Sequence, residues 1–424
     1  MIKDDLLFRK CQKLRPLIAE KADHLWLAYI TSETLKARLE AETLIEMSWV
    51  QTFGKRIDQQ QILLSLPEST NQRGQYPIGS VFYGTKSQGE VALRDTDLVK
   101  HMGIFAITGS GKTVTCHHLI KGLIQQKKPF LVIDWKRAYR RLQTQFPNLH
   151  VFGIGHKDVT PLNWNPLQPP PGVHPDTWIS IVADSLDRSH LSGPGTADIF
   201  IQTFCQLFDQ SPDTLPTFKE ALMLVTSRPE RGRRMLWRDT CMRILRSFCL
   251  GSAADALNPK SPRPFESLLK LPCILEIDYE LPKQIRVFLS DIILRWVHLY
   301  RLREGETNSL RHVLFLEEAH NLFPRGHDPH ATTSIETLLR EVRSFGQGLV
   351  IISQHPSMMP TFVLGNTNTL LFLGLQHEDD IRAATRALFL PSEDSFILDQ
   401  LKVGEGILKV KGRISPCFVR INAP

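Results

Sequence analysis

The chain has 424 residues, 42% of them hydrophobic and 22% charged, enough apolar material for a folded, soluble protein of two domains or one large domain with appendages. Lys and Arg number 51 against 44 Asp and Glu, a formal charge of +7 that permits a polyanionic partner without demanding one. Seven cysteines placed singly, and the lack of any uninterrupted apolar run of roughly 18 residues, argue against a disulfide frame and a membrane span; they predict reduced thiols in a cytoplasmic protein.

From the N-terminus, residues 15–50 set Leu17, Ile18, Ala22, Leu25, Trp26, Tyr29 and Ile30 at helical spacing in a stretch rich in Ala, Leu, Glu and Lys. This predicts one or two amphipathic helices, which pack on their own domain or dock a partner. Residues 1–76 are therefore read as an N-terminal helical region for partner docking or oligomerisation. From Ile78 to Asp97 apolar and polar residues alternate around glycines, a short hairpin leading into the next domain.

A buried strand, a glycine turn and an apolar-faced helix follow in HMGIFAITGSGKTVTCHHLIKGLIQQ, and PFLVIDW at 129–135 is a second buried strand ending in Asp134. Strand, loop, helix, strand is a βαβ unit, the context that a phosphate-binding loop requires. The loop itself, AITGSGKT at 106–113, has Ala106 where the usual pattern has its first glycine. That position launches the turn, and alanine serves there if its φ stays negative. Gly109 and Gly111 allow the positive-φ backbone that points successive N–H groups at an anion, and the following helix adds its positive end. Thr108, Gly109, Ser110, Gly111, Lys112, Thr113 and Val114 are the expected nucleotide-binding residues. Lys112 would bridge the β- and γ-phosphates of ATP, and the Thr113 hydroxyl would hold Mg²⁺.

Residues 156–262 change texture, with PLQPPPGVHP, the helical run ADIFIQTFCQLFDQ and the arginine-dense SRPERGRRMLWRDTCMRILRSF, and read as a mostly helical insertion between two parts of a mainly parallel α/β core, 77–155 and 263–424. Seven arginines between Arg228 and Arg246 face only Glu230 and Asp239. Arg231, Arg233 and Arg234 could meet DNA phosphates there; a solvated helix face or an inter-subunit contact accounts for the run equally well.

Alternating α/β text then returns. In RHVLFLEEAHNLFPR an apolar strand ends in Glu317 and Glu318. The first acid would orient the metal's water shell and the second would polarise the attacking water. Glutamate stands where aspartate is usual at the first position. In GLVIISQHPS a buried strand ends at Gln354, whose amide could sense the γ-phosphate and orient water.

Taken together, LVKHMGIFAITGSGKT, FLVIDWKRAY, LNWNPL, LFLEEAHNL, REVRSFGQGLVIISQHPS and GNTNTLLFLGL resemble the HerA branch of the HerA/FtsK P-loop ATPases, over roughly residues 77–415. The resemblance implies a RecA-like core of the additional-strand class, assembled into a ring, usually a hexamer, with ATP between neighbours and DNA in the central channel. It nominates Arg343, in REVRSFG, as the arginine finger given to an adjacent subunit, and Lys100 as a further basic residue of the site. Asp134 matches an acidic family position, with a capping role as the alternative. Two departures stand out: the family's D-P-K-G-E-Y is here DWKRAY, without its glutamate, and a helical N-terminus replaces the β-barrel that often seats a nuclease partner. Two functions follow, a DNA translocase or helicase acting with a nuclease or other effector, and an ATP-gated scaffold that organises an effector in an antiviral defence module. A secretion or conjugation pump is disfavoured for want of a membrane anchor.

Overall fold

The computed structural model describes residues 2–53, 62–210, 214–323 and 334–422. Part of the predicted N-terminal region, 54–61, lies outside them. The strands are β1 (Tyr76–Tyr83), β2 (Lys86–Leu93), β3 (Met102–Phe105), β4 (Phe130–Asp134), β5 (His150–Ile154), β6 (Thr160–Pro161), β7 (Pro272–Ile277), β8 (His312–Leu316), β9 (Gln347–Ser353), β10 (Thr369–Leu373), β11 (Glu405–Val410) and β12 (Ile414–Arg420).

They form one 12-stranded sheet in the order β2-β1-β12-β11-β10-β3-β9-β8-β4-β7-β5-β6. From β10 to β6 every pairing is parallel; from β10 out to β2 every pairing is antiparallel. β3, β4, β8, β9 and β10 are buried along their whole length, as continuous apolar runs require when helices cover both faces. β1 and β2 mix buried and exposed residues because they close the antiparallel edge. The expected hairpin is thus part of the sheet itself, joined through Ser80–Phe82 of β1 to Phe418–Arg420 of β12.

The region read as an insertion holds helices Pro175–His190, Pro194–Gln210, Phe218–Ser227, Arg233–Ser247 and Gly251–Leu257. One detail differs: β6 lies inside that range yet pairs with β5, so the sheet runs a few residues further than composition suggested. Phe218 and Phe248 (ring centroids 4.9 Å apart) pack with Phe288 (5.1 Å from Phe248), which docks the insertion on helix Lys283–Glu304.

Helices Ile2–Ile18, Glu20–Ile30 and Leu35–Phe53 gather Leu7, Cys11, Tyr29, Ala41 and Ile45 into a small core of their own. A second cluster of Leu14, Ala22, Phe53 and Tyr83 joins them to β1, and the Tyr83 hydroxyl donates to the Lys13 carbonyl at 2.6 Å. No helix among the described residues is long and apolar enough to cross a membrane.

Candidate functional site

Parallel strands leave all their C-terminal ends on one edge, where ligands of open α/β sheets bind. Here that edge carries Ala106 after β3, Asp134 ending β4, Glu317 and Glu318 after β8, and Gln354 after β9. β9 lies between β3 and β8, so Gln354 is set between the glycine loop and the acid pair.

Ala106 is buried with a negative φ, and its N–H donates to the Ser353 carbonyl at 3.2 Å. Gly109 and Gly111 take φ of 85° and 114°, which a side chain would strain. Helix Lys112–Gln125 starts directly behind them. The loop is braced by chain that is distant in sequence: Ile107 N–H donates to Gly374 O at 3.1 Å and Gly404 N–H to Ser110 O at 3.0 Å.

The Lys112 ammonium donates to the carbonyls of Ala106 and, at 2.8 Å, Ile107. Burial, with Lys136 nearby, brings its pKa down to about 8. A cation held only on loop carbonyls beside an open glycine turn, where a Cβ on Gly109 would meet nothing within 4 Å, suits a phosphate.

Glu317 is buried, and the fully buried Tyr139 hydroxyl donates to its Oε1. Burial pushes Glu317 up to about 7, the Tyr139 hydrogen bond opposing. Asp134 is also buried and rises to about 6, while its carboxylate accepts the N–H groups of Lys136 (2.8 Å) and Tyr139 (3.3 Å). Asp134 therefore caps the loop that carries Lys136 and Tyr139, not a helix.

Glu318 sits in the left-handed region at φ 51°, a conformation worth about 1–2 kcal/mol of strain in a residue with a Cβ. Its carbonyl is tied down by Asn321 N–H at 2.9 Å and the Asn321 side-chain amide at 3.0 Å. Its Oε1 accepts from the Gln354 amide at 2.9 Å and pairs with the Lys136 ammonium. The Thr108 hydroxyl donates in turn to Gln354 Oε1 at 2.7 Å. Burial opposes ionisation of Glu318, but the Lys136 ammonium and the Gln354 amide outweigh it and hold the carboxyl below its usual range. His320 closes the far side, its Nε2 3.6 Å from Glu318 Oε2 and its Nδ1 3.2 Å from Ser353 Oγ.

Among the described residues no group of three or more His, Cys, Asp or Glu side chains is placed to hold a metal alone. The Thr113 hydroxyl and the Glu317 carboxylate offer oxygen only, the donor type that suits Mg²⁺ shared with a nucleotide's phosphates. Glu317 serves in that role only as the carboxylate. Tyr139→Phe, which removes its donor, is expected to raise the Mg²⁺ needed for half-maximal ATPase about tenfold at pH 7. The gap should close toward pH 9, where both proteins ionise Glu317; a gap independent of pH would remove Tyr139 from this role.

Residues 76–191 match the family Helicase HerA, central domain. Over 111 residues the chain is 32% identical to the probable DNA double-strand break repair helicase HerA of Methanocaldococcus jannaschii, and over 112 residues 30% identical to the DNA double-strand break repair helicase HerA of Pyrococcus furiosus. The family match takes in just over a quarter of the chain. The alignments take in 26% of this chain and 22% and 20% of the two HerA proteins, so the match spans about a fifth of those relatives.

The fold likeness is wider. The structure of VirB4 of Thermoanaerobacter pseudethanolicus superposes with a TM-score of 0.64 at 18% identity, over 82% of this chain and 96% of that one. The conjugative coupling protein TrwBdeltaN70 gives 0.61 at 14% identity, over 78% of this chain and 87% of the other. These give the chain an α/β fold of the same kind.

Sequence reasoning missed Tyr139 and Lys136, although both stand in the DWKRAY stretch that departs from the family pattern. Arg343, nominated as a finger given to an adjacent subunit, and Lys100, nominated as a further basic residue, both stand away from this chain's own loop. Arg343 precedes β9 and Lys100 precedes β3, at the N-terminal ends of the strands; at about 3.3 Å per residue, the two ends of β9 lie roughly 20 Å apart. Arg234 pairs with Glu230 at 3.1 Å and Asp198 at 3.5 Å, while Arg231 and Arg233 are exposed.

Proposed function

We propose that the chain is a subunit of a ring-forming motor that hydrolyses MgATP to move DNA. In its site Glu318 takes a proton from the attacking water as the water oxygen bonds to the γ-phosphorus. The bond from that phosphorus to the β,γ-bridging oxygen breaks, and ADP leaves with the electron pair. Lys112 and the loop N–H groups hold the phosphates, Gln354 aligns the water, and Thr113 and Glu317 hold Mg²⁺, which when bound offsets phosphate charge. TrwB, which shares the fold, has been seen with ADP and Mg²⁺.

The observation that carries the ring is the place of Arg343. It is exposed, at the sheet edge opposite its own nucleotide loop, so it completes a site only if a neighbour's loop faces that edge. Removing a finger of this kind lowers turnover by about 10³- to 10⁵-fold. Arg343→Ala and Lys112→Ala proteins are therefore expected to be inactive alone and to regain part of the ATPase when mixed, because each supplies what the other lacks. Mixed oligomers that stay inactive would exclude Arg343 as a finger given across subunits.

DNA as the cargo rests on the likeness to the HerA proteins; a cleft of about 2090 Å³ at the end of β9 has Lys283, Arg386, Lys409 and Lys411 in its lining together with Asp291, Glu336 and Asp379. A second reading, an ATP-gated scaffold, is favoured by the N-terminal helices, where Leu27, Ile30, Leu35, Leu39, Leu44 and Met47 are exposed. Displacement of a roadblock on DNA at saturating ATP separates the two: movement supports the motor, and hydrolysis without movement supports the scaffold.

A further inference from the structure

Lys136 is the side chain of this site that neither the glycine loop nor the acid pair accounts for. Asp134 fixes its backbone by accepting its N–H at 2.8 Å, so the residue has a defined place at the end of β4. Its side chain is half exposed, and its ammonium ends on Glu318 Oε1, the same oxygen to which Gln354 donates at 2.9 Å. The charge is felt across the site: it lowers the pKa of Lys112 and helps hold Glu318 ionised.

In that arrangement Oε1 is occupied by two donors. An oxygen that already accepts from an ammonium and an amide is a poor acceptor for a water proton, because both donors stabilise its charged form. Glu318 Oε1 becomes a better base when the ammonium leaves it, and a competing anion would draw the ammonium away. Lys136 rests on Glu318, and Lys112 feels the charges of Lys136, Glu317 and Glu318, so the two ammoniums are close enough to share one anion, which for a nucleotide held on the loop is the terminal phosphate.

We propose that Lys136 reads the γ-phosphate, pairing with Glu318 when that phosphate is absent and moving onto a γ-phosphoryl oxygen when ATP binds. The transfer frees Glu318 to act as base and brings a second cation from the same chain to the phosphoryl group. It ties the base to the kind of nucleotide bound: ADP lacks the γ-phosphate and leaves Lys136 on Glu318. The inference rests on the ATPase reading above.

The test uses full-length protein carrying Glu318→Gln, so that ATP persists, and titrates MgATP and MgADP separately by calorimetry. Adding Lys136→Ala is expected to weaken ATP about tenfold while leaving ADP within about twofold, and Lys136→Arg should restore the preference for ATP. In the otherwise native chain Lys136→Ala should also lower the maximal ATPase rate, again with rescue by arginine. Equal weakening of both nucleotides would make Lys136 structural and overturn the proposal, as would an unchanged ATP-to-ADP ratio. Lys136→Gln gives the same reading if the alanine protein is poorly folded. A Glu318→Gln protein that bound neither nucleotide would overturn the ATPase reading itself, and the switch with it.

Discussion

Lys112→Ala is expected to lower ATP hydrolysis by at least about 10³-fold while leaving the fold intact. The ammonium lies half-buried at the start of helix Lys112–Gln125, its donors spent on the carbonyls of Ala106 and Ile107. With a pKa near 8 it is still mostly charged at pH 7, so the protein carries a desolvated cation whose natural partner is a phosphate. A lysine whose pKa is depressed on folding binds fewer protons in the folded than in the unfolded chain between about 8 and its ordinary value of 10.5, so it weighs against stability, most of all below pH 8. Truncating it should therefore hold or raise the melting temperature of the nucleotide-free protein even as turnover disappears. Phosphate release and a thermal melt on the same sample check both halves, and hydrolysis near the parental rate would remove Lys112 from the phosphates.

The glycine loop, the strand-end acids and Gln354 could be located from the amino acids because each is set by its own few neighbours: an apolar strand, then a turn of defined backbone sign. Ala106 shows the same logic, since whether it replaces the usual glycine depends on a single φ, which the fold keeps negative. What could not be read are the pairings that only the sheet order creates. Tyr139 and Glu317 meet across 178 residues of chain, and Lys136 reaches Glu318 because β4 and β8 are neighbours, a fact no periodicity contains. The brace from Gly374 and Gly404 onto the loop is hidden for the same reason. Arg343 is nominated for a neighbour's site by its motif, but only the strand direction shows that it lies at the end of the sheet away from its own loop. In the arginine-rich stretch the sequence named Glu230 and Asp239 as the available acids, and the fold shows which arginines they take, Arg234 and Arg238.

Glu318→Gln should bind ATP and hydrolyse it about 10²- to 10⁴-fold more slowly, the range that a positioned general base contributes. Glutamine keeps the size of the side chain and can still accept from the Gln354 amide, so the loop geometry set by Thr108 and Gln354 is retained. It cannot take a proton from water, and it no longer holds the Lys136 ammonium by charge. The strained backbone at φ 51° stays pinned through the Glu318 carbonyl, which Asn321 holds whatever the side chain is. The variant is therefore expected to melt close to the parent in the absence of nucleotide and to gain more from ATP than the parent does, because bound ATP is not consumed. In a ring it should accumulate the ATP-bound assembly, visible as a shift in mass in solution on adding MgATP but not MgADP. Hydrolysis near the parental rate would mean that another group accepts the proton, and His320, 3.6 Å from the same carboxylate, would be the next residue to change.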